Sequence, residues 1–325
     1  MSLDADYIVD RRRMRRKLTF WRIFAVTLAA LAVIGTALAV RSPNGISAAG
    51  PYVARITIEG LIRSDNDRVE ALERLGRSTA ARAVIVHINS PGGTTGGSEQ
   101  LHDALKRLKE QKPMVVVVEG LAASGGYIAA LASDHIVAQS SSLVGSIGVL
   151  FQYPNFTDLL KTVGVKVEEI KSTPLKAAPS PFEPASPEAR AAVEAVVMDS
   201  YDWFRGLVRE NRKLDGADLA RVTDGRVFTG RQAIGLKLID ELGDEKQALA
   251  WLVKEKGIDS KLRVRKYDLA PRFSDLPFLH VAAATVLDAL GLGPWARRVE
   301  TWGAVQAIER LNLDGLLALW HPSSN

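Results

Sequence analysis

Along the chain, short apolar runs that end in glycine alternate with stretches whose apolar residues recur every three or four positions. Tyr52–Ile58 alternates weakly and reads as a strand, and Asp65–Arg77 follows as a helix with Val69, Leu72 and Leu75 on one face. Ala83–Asn89 (AVIVHIN) reads as a buried strand, and Ser90–Gly97 (SPGGTTGG) as the loop after it. Ser98–Gln111 then places Leu101, Ala104, Leu105 and Leu108 at helical spacing, and Val115–Glu119 is a third buried strand. Strands alternating with single helices imply right-handed crossovers and a parallel sheet. Catalytic groups in such sheets gather at the C-terminal ends of strands. The loop at Ser90–Gly97 and the turn at Ser124 are therefore expected to be neighbours.

Ser124 stands between the valine run and Gly125-Gly126-Tyr127-Ile128-Ala129-Ala130-Leu131, at a strand-to-helix turn. By position alone it is an N-cap. The same kind of corner carries the nucleophile of strand–turn–helix hydrolases, although the G-x-S-x-G spelling is absent. Gly92 and Gly93 read either as a wide turn or as bare backbone donors for a developing oxyanion. No lysine follows the glycines in the P-loop manner, which argues against nucleotide binding.

Downstream, Ile136–Ala138 and Val144–Leu150 are short apolar segments, with Ser146 suited to a local turn. Asn155–Val163 reads as a helix and Val165–Lys171 as an amphipathic strand. The proline-rich Ser172–Pro181 is a rigid loop carrying Lys176. Ser186-Pro187 opens the longest helix, which Asn211–Asp215 ends. Arg226–Gly230, with Ala233, Gly235-Leu236 and Asp240, reads as a turn and short helix leading to another edge element, Asp244–Lys256 as a helix and Leu262–Tyr267 as a strand. From 269 to 325 the chain reads as an apolar, tryptophan-punctuated helical tail, docked on the domain or a neighbouring subunit, or resting on lipid.

Charge changes the picture at one end only. The net +5 resides in the first 41 residues, where eight Arg and Lys face three Asp; the remainder is neutral, so nothing asks for nucleic acid. Arg11–Lys17 (RRRMRRK) precedes an apolar run, Ile23–Val40, near the lower length limit for a spanning helix. The basic cluster keeps residues 1–22 in the cytoplasm, makes 23–40 a transmembrane anchor and 41–50 a linker, and sends the domain after the linker to the outer side. A cleaved signal peptide, with Ala37-Leu38-Ala39 as the processing site, is the competing reading. The absence of cysteine excludes disulfides, thiol catalysis and Cys-ligated zinc. Five scattered histidines offer no metal motif. A Ser-His-Asp triad through His135 faces an awkward geometry behind Ser124, and a neutral lysine is the more plausible base.

Ser90-Pro91-Gly92-Gly93, Lys112-Pro113, Ala122-Ala123-Ser124-Gly125-Gly126-Tyr127, Gly145-Ser146-Ile147-Gly148-Val149, Lys176 in its loop and Phe228-Thr229-Gly230 occur in this order. The set resembles the bacterial signal peptide peptidase A family in its short form, within the Clp protease/crotonase fold. The resemblance covers roughly 52–256 and the anchor. It implies an α/β fold of βαβ repeats over residues 51–268, with Ser124 as nucleophile, Lys176 as general base, and Gly92 and Gly93 framing an oxyanion hole with their amides. The family often has glycine two or three residues before the lysine, where this chain has Thr173 and Pro174. It further implies a membrane-anchored serine endopeptidase of the bacterial inner membrane, facing the periplasm and degrading remnant signal peptides. No cofactor and no metal are expected. The serine and lysine of one site would come from adjacent subunits of a homo-oligomeric ring. A crotonase-type enzyme of CoA thioesters, a non-catalytic ring scaffold and a sibling membrane peptidase with another substrate are the alternatives.

Overall fold

The computed structural model describes residues 50–269, with Lys17, Phe20, Trp21 and the backbone of Leu316–Leu319. The chain divides into two units, 1–50 and 51–325. The expected transmembrane segment 23–40 lies outside the described residues. Among the described residues no helix is long and apolar enough to cross a membrane.

Ten strands form the sheet: β1 Tyr52–Ile62, β2 Ala81–Thr94, β3 Met114–Ala123, β4 His135–Ala138, β5 Leu143–Gly145, β6 Leu150–Phe151, β7 Val227–Thr229, β8 Glu241–Leu242, β9 Arg263–Lys266 and β10 Leu316–Leu319. Its centre runs β9-β1-β2-β3-β4-β8, and every neighbouring pair there is parallel. The expectation of a parallel sheet holds for this centre and fails beyond it. β7 pairs antiparallel with β5, and β10 lies antiparallel between β2 and β6, so the sheet is mixed.

Strict alternation gives the sheet two buried faces. Ile56, Ile58, Val84, Val86, Ile88, Met114, Val116 and Val118 belong to the larger core. Helices α1 (Asn66–Arg77), α2 (Thr95–Gln111), α3 (Gly125–Leu131) and α5 (Pro187–Arg212) bury residues in the same core. Val53, Ala83, Ile85, Val115, Val117 and Val137 pack instead against Ala248 and Leu252 of α8 (Glu245–Lys256). Burying one such valine or isoleucine stabilises the fold by roughly 1.5–3 kcal/mol. Further along this second face, His87 Nδ1 meets Glu119 at 3.0 Å and His87 Nε2 meets Glu245 at 2.7 Å, while Arg55 grips the same Glu245. The smaller helices are α4 (Thr157–Thr162), α6 (Gly216–Val222) and α7 (Gly230–Gly235).

Side-chain caps set several helix starts. The Asp65 carboxylate accepts from Arg68 N at 3.0 Å, and Ser186 Oγ from Ala189 N at 3.1 Å with Pro187 in the first turn. Three expectations are corrected here. Ser90–Thr94 is not loop but the end of β2, and α2 starts at Thr95, its first turn capped by Thr94 Oγ1 accepting from Gly97 N. Val165–Lys171 is irregular and pairs with no strand among the described residues. Leu316–Leu319, within the segment 269–325 read as helical, is a strand; the rest of that segment lies outside the described residues.

Candidate active site

β3 follows β2 in register as far as Ser90↔Ala122, then ends at Ala123 and turns at Ser124 into α3. The Ser124 backbone has φ 52° and ψ −119°, the conformation of the first central residue of a type II′ turn, which normally requires glycine. A non-glycine residue held there stores on the order of 1–3 kcal/mol of strain and persists only when its surroundings impose it. They do so here. Ser124 N donates to Gly145 O at 2.7 Å, and Ser124 O accepts from Tyr127 N and Ile128 N at 2.9 and 3.0 Å. Its side chain caps nothing in α3, and the residue is 1% exposed. Ser124 is thus the N-cap of α3 by position and through its carbonyl alone: the serine holds the corner by its backbone and leaves its hydroxyl for other work.

The corner is packed against the end of β2. A Cβ on Gly126 would stand 2.6 Å from Ser90 O, and one on Gly93 would stand 1.8 Å from Ile62 O. Ser90 Oγ donates to Gly60 O at 2.7 Å and accepts from Gly92 N at 3.1 Å, which holds Gly92 at φ 100°. Between Glu59↔Asn89 and Leu61↔Gly92 the β1–β2 register slips by one, and the slip absorbs Pro91, which has no N–H for the ladder. The Ser90 end of β2, on which the Gly92 amide rests, and the Ser124 turn are thus neighbours, as the parallel sheet led one to expect. Ser146 joins them: it follows Gly145, the partner of Ala123, has φ 51°, and is buried. Sequence reasoning assigned Ser146 a local turn. The signal of its position is the glycine on each side of Ser146-Ile147, which lets β5 press against β3.

Lys176 is not joined to this corner within the chain. It is exposed in the turn Thr173–Ala178, and among the described residues its amine has no hydrogen-bonding or ionic partner. Lys171 differs. It pairs with Glu169 at 2.7 Å and Glu183 at 2.6 Å, and these carboxylates, Glu169 foremost, raise its pKa and hold it protonated. No histidine among the described residues serves the corner. His135 pairs with Val115 at the opposite end of β3, roughly 30 Å of strand from Ser124, and stacks on Trp251 at 4.6 Å. His102 is buried in α2 beside Asp103, and burial lowers its pKa.

Two clefts of about 380 and 530 Å³ lie elsewhere, the first lined by Lys171, Pro179 and Phe182, the second by Asp134, Arg212 and Asp240. Among the described residues no three His, Asp or Glu are placed to hold a metal ion. In the second cleft Arg212 clasps Asp240 at 2.8 and 3.0 Å. In the core, Tyr127 OH, wholly buried, donates to Leu238 O at 2.6 Å. Burial pushes the tyrosine phenol far above its ordinary range.

A strained serine at the end of a buried parallel strand, set against a paired-glycine strand end, defines a hydrolytic α/β scaffold, and comparison with known proteins narrows it. The family model Peptidase family S49 matches residues 106–259, and that of Clp protease matches 53–142. A candidate protease of Synechocystis sp. is 36% identical over 209 residues, 64% of this chain and 75% of the relative. A candidate signal peptide peptidase of Enterococcus faecium is 33% identical over 186 residues, 57% of this chain and 54% of the relative. A ClpP1 point mutant from Listeria monocytogenes aligns over 59% of this chain and 92% of its own at 15% identity, with a TM-score of 0.40, too low to define the fold. The chain belongs to peptidase family S49, the signal peptide peptidase A family, and is a serine peptidase.

Proposed function

We propose that the protein is a membrane-anchored endopeptidase that degrades remnant signal peptides and other short apolar peptides through a Ser–Lys dyad. The observation that carries this reading is the Ser124 corner: a buried serine in a glycine-type conformation, its hydroxyl unused by the helix it begins. Ser124 Oγ attacks the scissile carbonyl while neutral Lys176 Nζ takes its proton, and the amides of Gly92 and Gly93 receive the developing oxyanion. The Gly92 amide rests on Ser90 Oγ; exchanging that neutral bond for an oxyanion costs about 1 kcal/mol and returns more. Lys176 then returns the proton to the leaving amine, and water resolves the acyl-enzyme.

Lys176 works across a subunit boundary in this reading. Two observations support it: the exposed amine, without a partner among the described residues, and the apolar exposure around it. Phe156, Leu159, Val163, Ile170, Leu175 and Phe182 all face solvent in the single chain, Ile170 entirely. Apolar surface of this extent suits a homo-oligomeric ring. Burial by a neighbour favours the neutral amine that a base requires. The anchor at 23–40 would hold the ring to the outer face of the bacterial inner membrane, where apolar peptides accumulate.

The test is hydrolysis of a fluorogenic apolar peptide by the detergent-purified wild type, Ser124→Ala, Lys176→Ala and a co-refolded mixture of the two variants. Activity in wild type, none in either variant and partial return in the mixture is expected. Activity surviving in Ser124→Ala would remove the mechanism and point to thioester chemistry of the crotonase kind.

A further inference from the structure

Ser90 is wholly buried, and its hydroxyl joins irregular points of two neighbouring strands. It donates to Gly60 O of β1 at 2.7 Å and accepts from Gly92 N of β2 at 3.1 Å. Both partners have positive φ, 67° at Gly60 and 100° at Gly92, and they flank the register slip that absorbs Pro91. A serine hydroxyl has one proton to give. Gly60 O takes it, so only the oxygen lone pairs face the Gly92 amide. The polarity of the bridge is thereby fixed, and Ser90 has no proton to offer Ser124 or a substrate.

The other side of Ser90 meets the nucleophile turn. A Cβ on Gly126 would stand 2.6 Å from Ser90 O and 3.3 Å from Ser90 Cβ, so the first turn of α3 lies directly on this residue. Gly126 is two residues from Ser124. By its main chain Ser90 sets how near that turn comes to β2, and by its hydroxyl it sets where Gly92 N–H points. Merely pinning the strand slip would be the plainer role. The bond to Gly60 already does that, whereas the second bond falls on the amide whose direction the proposed mechanism needs. Glycine has the widest choice of backbone conformations, and an oxyanion donor helps only when its N–H is already aimed at the reacting oxygen. Without Ser90 Oγ the amide would bond to water at similar energy but in no fixed direction.

We infer that Ser90 is a positioning residue for peptide hydrolysis, which holds the Gly92 amide at a set place relative to Ser124 until the oxyanion claims it. The inference rests on the reading of Ser124 as nucleophile and Gly92 as oxyanion donor. Ser90 touches no substrate atom and moves no proton. Its effect falls on the transition state of acylation and leaves peptide binding alone.

The test compares wild type with Ser90→Ala, with Ser90→Cys, which keeps a weakly accepting group of similar size, and with Ser133→Ala as control. Ser133 loses bonds to Ala130 O and His135 O at the opposite end of the sheet. Read for each are kcat and KM on the apolar fluorogenic peptide, inhibition by a peptide aldehyde, and the rate ratio of an oxygen ester to its thionoester. The aldehyde forms an oxyanion when serine attacks it, and the thionoester sulfur accepts hydrogen bonds poorly. Ser90→Ala should lower kcat about 10- to 100-fold with KM held within about 2-fold, and should weaken the aldehyde by a like factor. Its ester-to-thionoester ratio should shrink, Ser90→Cys should recover part of each loss, and Ser133→Ala should keep kcat. Where Ser90→Ala fails to fold, the same readings on Ser90→Cys decide. An unchanged or raised kcat, or a lowered kcat with the ratio unchanged, would overturn the inference while leaving Ser124 as nucleophile. A wild type that neither hydrolyses peptide nor takes a fluorophosphonate at Ser124 would remove the peptidase reading, and this inference with it.

Discussion

Ser124 N donates to Gly145 O at 2.7 Å, and this bond ties the end of β3 to a glycine whose own φ is 98°. Two left-handed stretches, at Ser124 and at Gly145-Ser146, are thereby locked against each other. Glycine is the residue that the Ser124 backbone favours, so serine there is held against conformational preference.

Stability should therefore rise when that preference is met. Ser124→Gly should be more stable than Ser124→Ala by about 1 kcal/mol, although both lack the proposed nucleophile. Equilibrium unfolding in urea checks this. Equal stability would show that the φ of 52° is not costly.

The close approaches at the corner should tolerate no side chain. Gly93→Ala would place a Cβ 1.8 Å from Ile62 O, and Gly126→Ala 2.6 Å from Ser90 O, so backbone must move in each. A loss of about 2–4 kcal/mol is expected for each, with activity lost even where the protein stays folded. Thermal melts beside peptide hydrolysis separate the two effects.

Lys171 and Lys176 lie close in sequence and should separate by phenotype. Lys176→Ala should leave the melting temperature unchanged and abolish hydrolysis, because its amine has no partner to lose among the described residues. Lys171→Ala leaves Glu169 and Glu183 facing each other without their cation. It should loosen the 165–183 segment, read as faster local proteolysis, while retaining measurable activity.

Acid should weaken the fold through three groups acting in one direction. Burial raises the Asp240 carboxyl, but Arg212 and the Ile136 amide more than offset that and its pKa is lowered. Glu245 behaves alike, with burial outweighed by Arg55 and His87. A carboxyl lowered on folding contributes stability above its unfolded value, near 3.8 for Asp240 and 4.5 for Glu245, and loses it as pH falls through the folded value. Buried His102 is lowered from 6.5, so the unfolded chain protonates first and stability already declines just below that pH. Urea unfolding at about pH 7.5, 5.5 and 4 should give successively smaller free energies. His102→Gln should flatten the decline from its start in the first interval.

The central sheet was legible because Val84–Val86 and Val115–Val118 are apolar on both faces, a pattern that suits buried parallel strands. That the Ser90 end of β2 and the Ser124 turn lie side by side was legible, since strand ends of such a sheet converge. The course of Ser90–Thr94 was not. Proline and glycine announce a loop, and only the partner strand, with Leu61 and Ile62 facing Gly92 and Gly93, turns the segment into ladder. Val165–Lys171 failed in the opposite way, as alternation without a partner to pair with. Leu316–Leu319 shows the same limit: a short leucine-rich run suits either element, and the bare edge of β2 decides which. Lys176 has no visible role in a single chain, because what completes it lies outside that chain in the proposed assembly.

The contact between Gly97 and the β1–α1 connection constrains the two sides unequally. A Cβ on Gly97 would stand 2.5 Å from Arg63 C and 2.6 Å from Ser64 N, both main-chain atoms. Since backbone alone forms the far side, the exposed Ser64 can drift through most residue types without touching Gly97. Gly97 can drift to none. Random substitution with selection for folding should thus leave an asymmetric record, a fixed letter at one end of the contact and a variable one at the other. Paired covariation, the usual trace of proximity, would be missing from one of the tightest approaches in the molecule.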